Sequence, residues 1–157
     1  MKLPNKEFMQ KAIDLSIESA KNGGGPFGAV IIKNNEIVAA AANSVSQNND
    51  PTAHAEITAI RKACSELKTF DLTGCELYTS CEPCPMCLGA IYWAHIDKVY
   101  YANTKEDAMN TGFDDSFIYD EIERGIHNRK ISFEQFMQKD AISAFSLWLE
   151  NDERINY

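Results

Sequence analysis

No stretch of this 157-residue sequence is apolar over the length of a membrane span, and the chain contains no repeats and no low-complexity linker. The first residues, MKLPNKEFMQKAIDL, also lack the continuous apolar segment of a secretory signal peptide. We therefore expect one domain over residues 1–157, without membrane contact and located in the cytoplasm. The five cysteines agree, because an odd number does not suit a closed set of disulfides and cytoplasmic thiols stay reduced.

Basic residues are in the minority. The chain has 15 Lys and Arg against 23 Asp and Glu, which gives a formal net charge of −8. Proteins that bind nucleic acids draw much of their affinity from basic patches, so this balance argues against a nucleic-acid partner. Residues 106–123 are the most acidic part, with seven carboxylates and no Lys or Arg. For most of these acids the expected setting is a solvated surface.

The spacing of apolar residues predicts an α/β fold. Helical spacing predicts helices over residues 6–21, 54–67, 85 to about 95, and 141–150. β-Prone runs predict a hairpin of residues 29–33 and 36–42, and strands at 76–80, at 98–102 with a buried character, and at 131–137. Short helices and loops are expected over 104–124. Because strands alternate with helices after the hairpin, the pattern indicates a three-layer α/β/α domain with a mixed sheet.

Two short segments predict a metal site. His54 begins one predicted helix, and Cys84 and Cys87 begin another, with Pro85 at the first helical position. If the two helix starts lie side by side, one imidazole and two thiolates can bind a single zinc ion, and the positive ends of both helices favour the thiolates. Three protein ligands leave the fourth position of tetrahedral zinc open for water, which is typical of catalytic zinc.

The residue beside this set is Glu56, which can lean over the same helix start as His54. It is placed to take a proton from the water and to deliver it to a substrate. Other interpretations exist for each part taken alone. Cys84-x-x-Cys87 suits a redox motif or a structural zinc site, and Cys81 could be a fourth ligand, although we expect it to be an apolar wall residue in the turn before the helix. The combined pattern H-x-E followed by P-C-x-x-C is the signature of zinc deaminases.

Four segments carry a resemblance to a known family. They are PFGAVI at 26–31, NDPTAHAEITAIRKAC at 49–64, YTSCEPCPMCLGAIYWA at 78–94 and GFDDSFIY at 112–119. Together they resemble the bacterial guanine deaminases of the cytidine-deaminase-like superfamily, over nearly the whole chain. The zinc motifs specify only the superfamily, whereas GFDDSFIY, the acidic balance and the C-terminal tail are similar to the guanine-specific branch.

This resemblance implies a five-stranded mixed sheet flanked by helices, and one zinc ion per subunit. It also implies a homodimer in which the C-terminal segment, about residues 138–157, is exchanged between subunits and helps to close the partner's active site. The implied reaction converts guanine and water to xanthine and ammonia, a step of purine salvage or catabolism. Water activated by zinc attacks C2 of the purine, and Glu56 protonates the neighbouring ring nitrogen and then the leaving amine.

The resemblance also implies substrate contacts. Asn43 matches the base-binding asparagine of the family, since its amide can donate and accept, although a plain turn residue would suit the position too. Asp115 matches the acidic residue that serves guanine, because a carboxylate accepts hydrogen bonds from the N–H-rich edge of the base. Asp114 is its neighbour and could be confused with it. Three further contacts are the backbone of Ala55 and the aromatic rings of Phe27 and Trp93, although core packing explains either ring equally well. Tyr157 matches the terminal tyrosine that reaches the base across the dimer.

Three alternatives remain at this point. A tRNA adenosine deaminase shares the zinc motifs, but it should carry basic residues near its site, and the tail LENDERINY has three acids against one Arg. A deaminase of cytosine or of another small aminated ring differs only in the shape of its pocket. A non-catalytic binding module stabilised by zinc would have no need of Glu56.

Overall fold

The computed structural model describes residues 3–157, and the chain divides into two compact units. The first unit ends at Asp115 and the second is Ser116–Tyr157. In the first unit the helices are α1 (Lys6–Lys21), α2 (Val45–Asn48), α3 (Ala55–Leu67), α4 (Pro85–Trp93) and α5 (Lys105–Asn110). The strands are β1 (Gly28–Lys33), β2 (Glu36–Ala42), β3 (Cys75–Cys81) and β4 (Lys98–Asn103). The predicted helices and the first four predicted strands are confirmed with small shifts at their ends.

The sheet has the strand order β2-β1-β3-β4. Strand β1 pairs antiparallel with β2 and with β3, while β3 and β4 run parallel, so the sheet is mixed as expected. The predicted hairpin is confirmed, because Asn34 and Asn35 have φ angles of 52° and 66°. Positive φ at both central residues is the geometry of the tight turn whose twist matches that of the flanking strands.

Two expectations about the sheet are wrong. Within residues 3–157 the sheet has four strands and not five, because residues 131–137 are without regular structure and pair with no strand of the chain. A β-prone segment forms a strand only where a partner backbone takes up its hydrogen bonds. Strand β4, expected to be buried, is half-buried to exposed along its length. It is the edge of the sheet, and an edge strand has a neighbour on one side only.

Both faces of the central strands are covered by helices. On one face α1 packs Phe8 and Ala12 against Val30, Ile32 and Tyr78. On the opposite face the alternate residues of the same strands pack against α3 and α4; this cluster includes Ala29, Ile31, Ala59, Ala63, Leu77 and Ile91. Consecutive side chains of a strand point to opposite faces, so β1 and β3 are buried along almost their whole length. The first unit is therefore a three-layer α/β/α arrangement.

The close approach of α1 to the sheet depends on Gly28. A Cβ atom at this position would collide with the carbonyl oxygen of Ala12 and would lie 2.8 Å from Cβ of Leu15. The missing side chain therefore lets the helix backbone rest on the start of β1. The backbone N–H of Gly28 donates to Oγ of buried Ser80 at 3.0 Å, which ties the first residue of β1 to β3.

The second unit contains α6 (Ser116–Glu123), a short 3-10 turn (Ile126–Asn128) and α7 (Gln138–Glu150). Glu121 organises the turn that follows α6: its side chain binds Arg124 at 2.8 Å and accepts from the backbone N–H of Lys130 at 2.8 Å, and its carbonyl accepts from Nε of Arg129 at 3.0 Å. No residue of 116–157 is buried in this chain. Throughout residues 3–157, none of the helices combines the length and the apolar character needed to cross a bilayer.

Candidate metal centre

His54 is the N-cap residue of α3, and the loop before it is held by short hydrogen bonds. Oδ1 of Asp50 accepts from the backbone N–H of Thr52 at 2.8 Å and from its hydroxyl at 2.7 Å. The backbone N–H of His54 then donates to the carbonyl of Thr52 at 2.8 Å. This Asx-type turn, which Asp favours because its short side chain can bond to its own loop, sets the direction in which the imidazole leaves the helix start.

Cys84 is the N-cap residue of α4, and Pro85 occupies the first helical position. Proline is favoured there because the missing N–H would have no partner within the helix and its fixed φ suits the helix. Cys87 lies in the first turn and is buried, whereas Cys84 is half-buried. Three residues apart at a helix start, the two thiols lie on the same side of α4.

The two helix starts meet as the sequence predicts. Nδ1 of His54 lies 3.5 Å from Sγ of Cys84 and 3.5 Å from Sγ of Cys87, and the three ligand atoms are within 4.8 Å of one another. Tetrahedral zinc with its usual bond lengths separates a nitrogen ligand from a sulfur ligand by about 3.6 Å. The donor set therefore fits zinc in chemistry and in spacing. Among residues 3–157 this is the one group of three or more such side chains placed to hold a metal.

Cys81 does not join the group. It is the last residue of β3 and is buried, and its thiol lies 3.5 Å from the carbonyl of Thr104. Burial raises the pKa of Cys81 to about 11, so its thiol stays protonated. A four-cysteine or four-ligand structural site is thus not assembled, and the three ligands leave one corner of a tetrahedron to water or substrate.

The charges of the three ligands are coupled. Hydrogen bonding from the Cys87 thiol lowers the pKa of Cys84 to about 4, and His54 adds to this effect. The pKa of Cys87 is raised by its hydrogen bond with Cys84, and burial and nearby Glu56 add to this increase. The pKa of His54 is raised by the hydrogen bond between His54 and Cys84. A thiolate is thus already favoured at Cys84, and a thiolate is the form that binds a metal.

Glu56 lies in the first turn of α3 with 6% of its surface exposed. Burial raises the pKa of its carboxyl group, and a hydrogen bond with Cys87 and the charge of His54 act in the opposite direction. The contact with Cys87 places the carboxyl group directly beside the metal ligands. A buried carboxyl group with a raised pKa holds a proton more readily than an exposed one, which suits a proton shuttle.

Asn43 lies directly after β2, opposite the start of β1. Its backbone N–H donates to the carbonyl of Phe27 at 2.9 Å, which extends the β1–β2 ladder by one pair. Its side-chain Oδ1 accepts from the backbone N–H of Val45 at 3.3 Å, so the turn-residue interpretation also describes part of what it does. The hydrogen bond to Val45 sets the direction of the amide, whose NH₂ group then points to the other side.

Phe27 is half-buried and packs against the core beneath α3 and α4. Its ring meets that of Phe113 edge to face, with centroids 4.9 Å apart and an angle of 86° between the planes. Sequence reasoning named Phe27 but missed Phe113, although Phe113 stands in the quoted segment GFDDSFIY directly before Asp114. Only the fold shows that these two rings, separated by most of the first unit, form a pair.

Asp115 lies close enough to the metal ligands to interact with Cys84 and His54 electrostatically. Burial raises the pKa of its carboxyl group, with the charge of Cys84 as the next cause. Asp114 is exposed, whereas Asp115 is half-buried. The electrostatic coupling to Cys84 and His54 therefore places Asp115 near the candidate centre.

The remaining predicted contacts occupy different places. Ala55 is the first residue of α3, fully buried between His54 and Glu56. Trp93 is the last residue of α4 and 66% exposed. Tyr157 belongs to the second unit and is 73% exposed.

Comparison with known proteins agrees with this site. Residues 3–103 match the family model described as the cytidine and deoxycytidylate deaminase zinc-binding region. The matched region contains the three candidate ligands and Glu56. A tRNA-specific adenosine deaminase of Aquifex aeolicus (strain VF5) is 44% identical over 95 residues, which cover 60% of this chain and 63% of the relative.

The similarity to guanine deaminases extends further along the chain. The guanine deaminase of Bacillus subtilis (strain 168) is 52% identical over 145 residues, covering 92% of this chain and 93% of the relative. An X-ray structure of guanine deaminase from Bacillus subtilis superimposes with a TM-score of 0.95 and 49% identity, over 99% of both chains. The α/β fold is thus the fold of this group of proteins.

Proposed function

Because the chain belongs to the cytidine and deoxycytidylate deaminase family, we propose that it hydrolyses guanine to xanthine and ammonia. The observation that carries this proposal is the extent of the similarity to a guanine deaminase, which covers 92% of the chain at 52% identity. The zinc region alone ends at residue 103 and is common to the family. The match to a guanine deaminase therefore includes Asp115 and much of the second unit, where a substrate-specific part would lie.

His54, Cys84 and Cys87 would hold the zinc ion. Zinc bound there would polarise a water molecule and lower its pKa, which would make a nucleophile available at neutral pH. The protein's own contribution is to present one nitrogen atom 3.5 Å from each of two sulfur atoms, with no fourth protein ligand beside them among the described residues. Cys84 is already poised as a thiolate, which reduces the proton release that metal binding requires.

Glu56 moves the protons of the reaction. Water adds to C2 of guanine, and the carboxylate takes the proton that the water loses. Glu56 then gives this proton to the ring nitrogen next to C2, and in the second half it transfers the hydroxyl proton to the amino group, which leaves as ammonia. Each transfer needs the carboxyl group to alternate between its two forms, and burial, which raises its pKa, favours the protonated form more than water would.

In this scheme the base is held by groups that lie near the candidate metal ligands. Asn43 donates and accepts through its amide, and Asp115 accepts from the N–H groups of guanine. The backbone of Ala55 lies between the metal ligand and the proton shuttle. Phe27, supported by Phe113 at 4.9 Å, forms an aromatic wall on which a purine can stack. Trp93 and Tyr157 complete the proposed set as contacts in the assembled protein.

The assembled protein is proposed to be a homodimer. A single catalytic domain spans the chain, and the C-terminal segment of about residues 138–157 is exchanged between subunits. Residues 116–157 include many large apolar side chains but no buried residue; among the most exposed are Phe136, Ile131, Phe145, Leu147 and Tyr157. Tyr92 and Trp93 on α4 and Tyr101 on β4 are also exposed. Apolar surface on this scale is usually covered by another protein.

The cytoplasm is the compartment that suits this site. All five cysteines are free thiols, and two of them must remain reduced to bind zinc. A small nucleobase is the proposed partner, and neither a nucleic acid nor a membrane is expected. The net charge of −8 disfavours an RNA substrate, and the tRNA-specific relative matches only 60% of the chain.

The test is an ammonia-release assay of the purified zinc-loaded protein. Guanine, guanosine, adenine, cytosine and a tRNA anticodon stem are supplied separately, and xanthine formation is followed by its absorbance. We expect guanine to be turned over with the highest kcat/KM. Preferred release from adenosine in the tRNA stem would contradict the proposal and support a tRNA deaminase, and release from none of the five with zinc bound would support a binding module.

A further inference from the structure

Gly25, Pro26 and Phe27 form a tight turn between α1 and β1. The backbone N–H of Phe27 donates to the carbonyl of Gly25 at 2.8 Å, across Pro26. The carbonyl of Phe27 in turn accepts from the backbone N–H of Asn43 at 2.9 Å. The turn is therefore joined to Asn43 by one backbone hydrogen bond, and Gly25 lies against the side chain of Asn43.

The side-chain amide of Asn43 lies over the α-carbon of Gly25. A Cβ atom built on Gly25 would be 3.0 Å from Cγ of Asn43, 3.1 Å from Oδ1 and 3.3 Å from Nδ2. Ordinary contacts between carbon atoms are about 3.5–4.0 Å. All three amide atoms thus occupy the space that a side chain at position 25 would need.

The backbone conformation does not explain the glycine. The glycines with positive φ among the described residues are Gly23, Gly74 and Gly112, and Gly25 is not among them. An alanine can adopt the backbone angles of Gly25 without strain from a left-handed conformation. What the glycine provides is room for the amide.

The amide is also held by a hydrogen bond. Oδ1 of Asn43 accepts from the backbone N–H of Val45 at 3.3 Å, which is already a long hydrogen bond. A displacement by a few tenths of an ångström away from position 25 changes this bond and the direction of the NH₂ group together. The position of the amide is therefore limited by the space at Gly25 and by the hydrogen bond from Val45.

We propose that Gly25 is a positioning residue for substrate recognition: its missing side chain sets the place from which the Asn43 amide binds the base. The inference rests on the proposed function, in which Asn43 contacts guanine. It adds that position 25, which touches no substrate in this scheme, controls affinity through Asn43. Any side chain at position 25 displaces the amide and weakens the hydrogen bonds to the base in the ground state and in the transition state alike.

A double-mutant cycle tests this proposal with Gly25→Ala, Asn43→Ala and the double variant, all loaded with zinc. Gly25→Ala should raise KM for guanine about three- to tenfold, the effect of one weakened hydrogen bond, with kcat within about twofold of the parent. The inhibition constant of xanthine should rise by the same factor. In the Asn43→Ala background, where the amide atoms are gone, Gly25→Ala should cause no further change.

Equal effects of Gly25→Ala in both backgrounds would overturn the inference, because the added methyl group would then act without Asn43. A fall in kcat at unchanged KM would overturn it too. If Gly25→Ala alone does not fold, the double variant decides the question. Its added methyl group has room because the Asn43 amide is absent, so the double variant should fold and have the same activity as Asn43→Ala. A double variant that does not fold contradicts the proposal.

An inactive parent enzyme in the guanine assay would instead refute the proposed function. The cycle is then measured with the base that is turned over, or by xanthine binding if none is.

Discussion

Nδ1 of His54 lies 3.5 Å from Sγ of Cys84, although 30 positions separate the two residues along the chain. Each is the N-cap residue of its helix, so the contact joins the starts of α3 and α4. Side chains at a helix start are not crowded by a preceding turn, and the exposed N–H groups there favour negative charge. A metal with two thiolate ligands is thus placed where two helices already stabilise its ligands.

Glu56→Gln should greatly reduce turnover while zinc and fold are kept. Glutamine has nearly the same shape, but it cannot take up and release a proton at neutral pH, so we expect kcat for guanine to fall about 10²- to 10⁴-fold. Zinc content by elemental analysis and the circular dichroism spectrum should equal those of the parent. Glu66→Gln, an exposed carboxylate on the same helix, serves as the matched control and should keep full activity. Activity of Glu56→Gln near the parent's level would remove Glu56 from the mechanism.

Cys87→Ser should lose zinc, because a buried thiolate ligand is replaced by a hydroxyl group that binds zinc poorly. We expect less than a tenth of the parent's zinc content at equal free zinc, together with a lower melting temperature, since metal binding stabilises the folded state. Cys64→Ser changes a thiol outside the ligand group and should retain one zinc per chain. Full zinc content in Cys87→Ser would show that the proposed ligand set is incorrect.

Asp115→Asn should reduce kcat/KM for guanine about 10- to 100-fold, because an acceptor of N–H groups is replaced by an amide that also donates. Asp114→Asn is the control at the neighbouring exposed position and should stay within about twofold of the parent. Steady-state kinetics on guanine and on a poorer substrate from the ammonia screen measure both effects. Equal losses for the two substrates, or equal effects of the two variants, would exclude Asp115 as a determinant of specificity.

Tyr157 should act in the active site of the other subunit. Deletion of Tyr157 is expected to lower guanine turnover, and so is Glu56→Gln in a separate chain. When both chains are co-expressed, half of the dimers are mixed and each mixed dimer has one complete site, so about a quarter of the parent's activity should return. Homodimers of either variant provide the baseline. No recovery in isolated mixed dimers would show that the tail does not serve the partner's site.

Gly28→Ala should destabilise the fold by about 1–3 kcal/mol, the usual cost of forcing an extra methyl group into a packed contact. The added atom meets the backbone of α1, which cannot move away as a flexible side chain could. Urea unfolding followed by circular dichroism measures the change in the free energy of unfolding. Gly89→Ala in α4, where nothing lies within 4 Å, is the control and should be neutral or slightly stabilising. A Gly28→Ala variant as stable as the parent would mean that α1 does not rest on this position.

Local signals in the chain were sufficient for most elements of the first unit. Asn34-Asn35 predicts the hairpin turn because few residues tolerate positive φ at two consecutive positions. Pro85 marks the start of α4, and the spacing of Cys84 and Cys87 predicts that both thiols lie on one side of it. Residues 131–137 misled the same reasoning. Their β-prone composition is local, whereas a strand needs a partner that composition does not specify.

The sequence by itself determined the chemistry of the metal centre: one imidazole, two thiols and a carboxylate, each at a helix start that its neighbours encode. Tertiary structure alone decided which distant groups surround it. Three examples depend on how the layers pack: the pairing of Phe27 with Phe113, the nearness of Asp115 to Cys84, and the position of the Asn43 amide over Gly25. Helix starts and turns follow from the preferences of a few adjacent residues, but contacts between remote residues follow only from the packing of the whole chain.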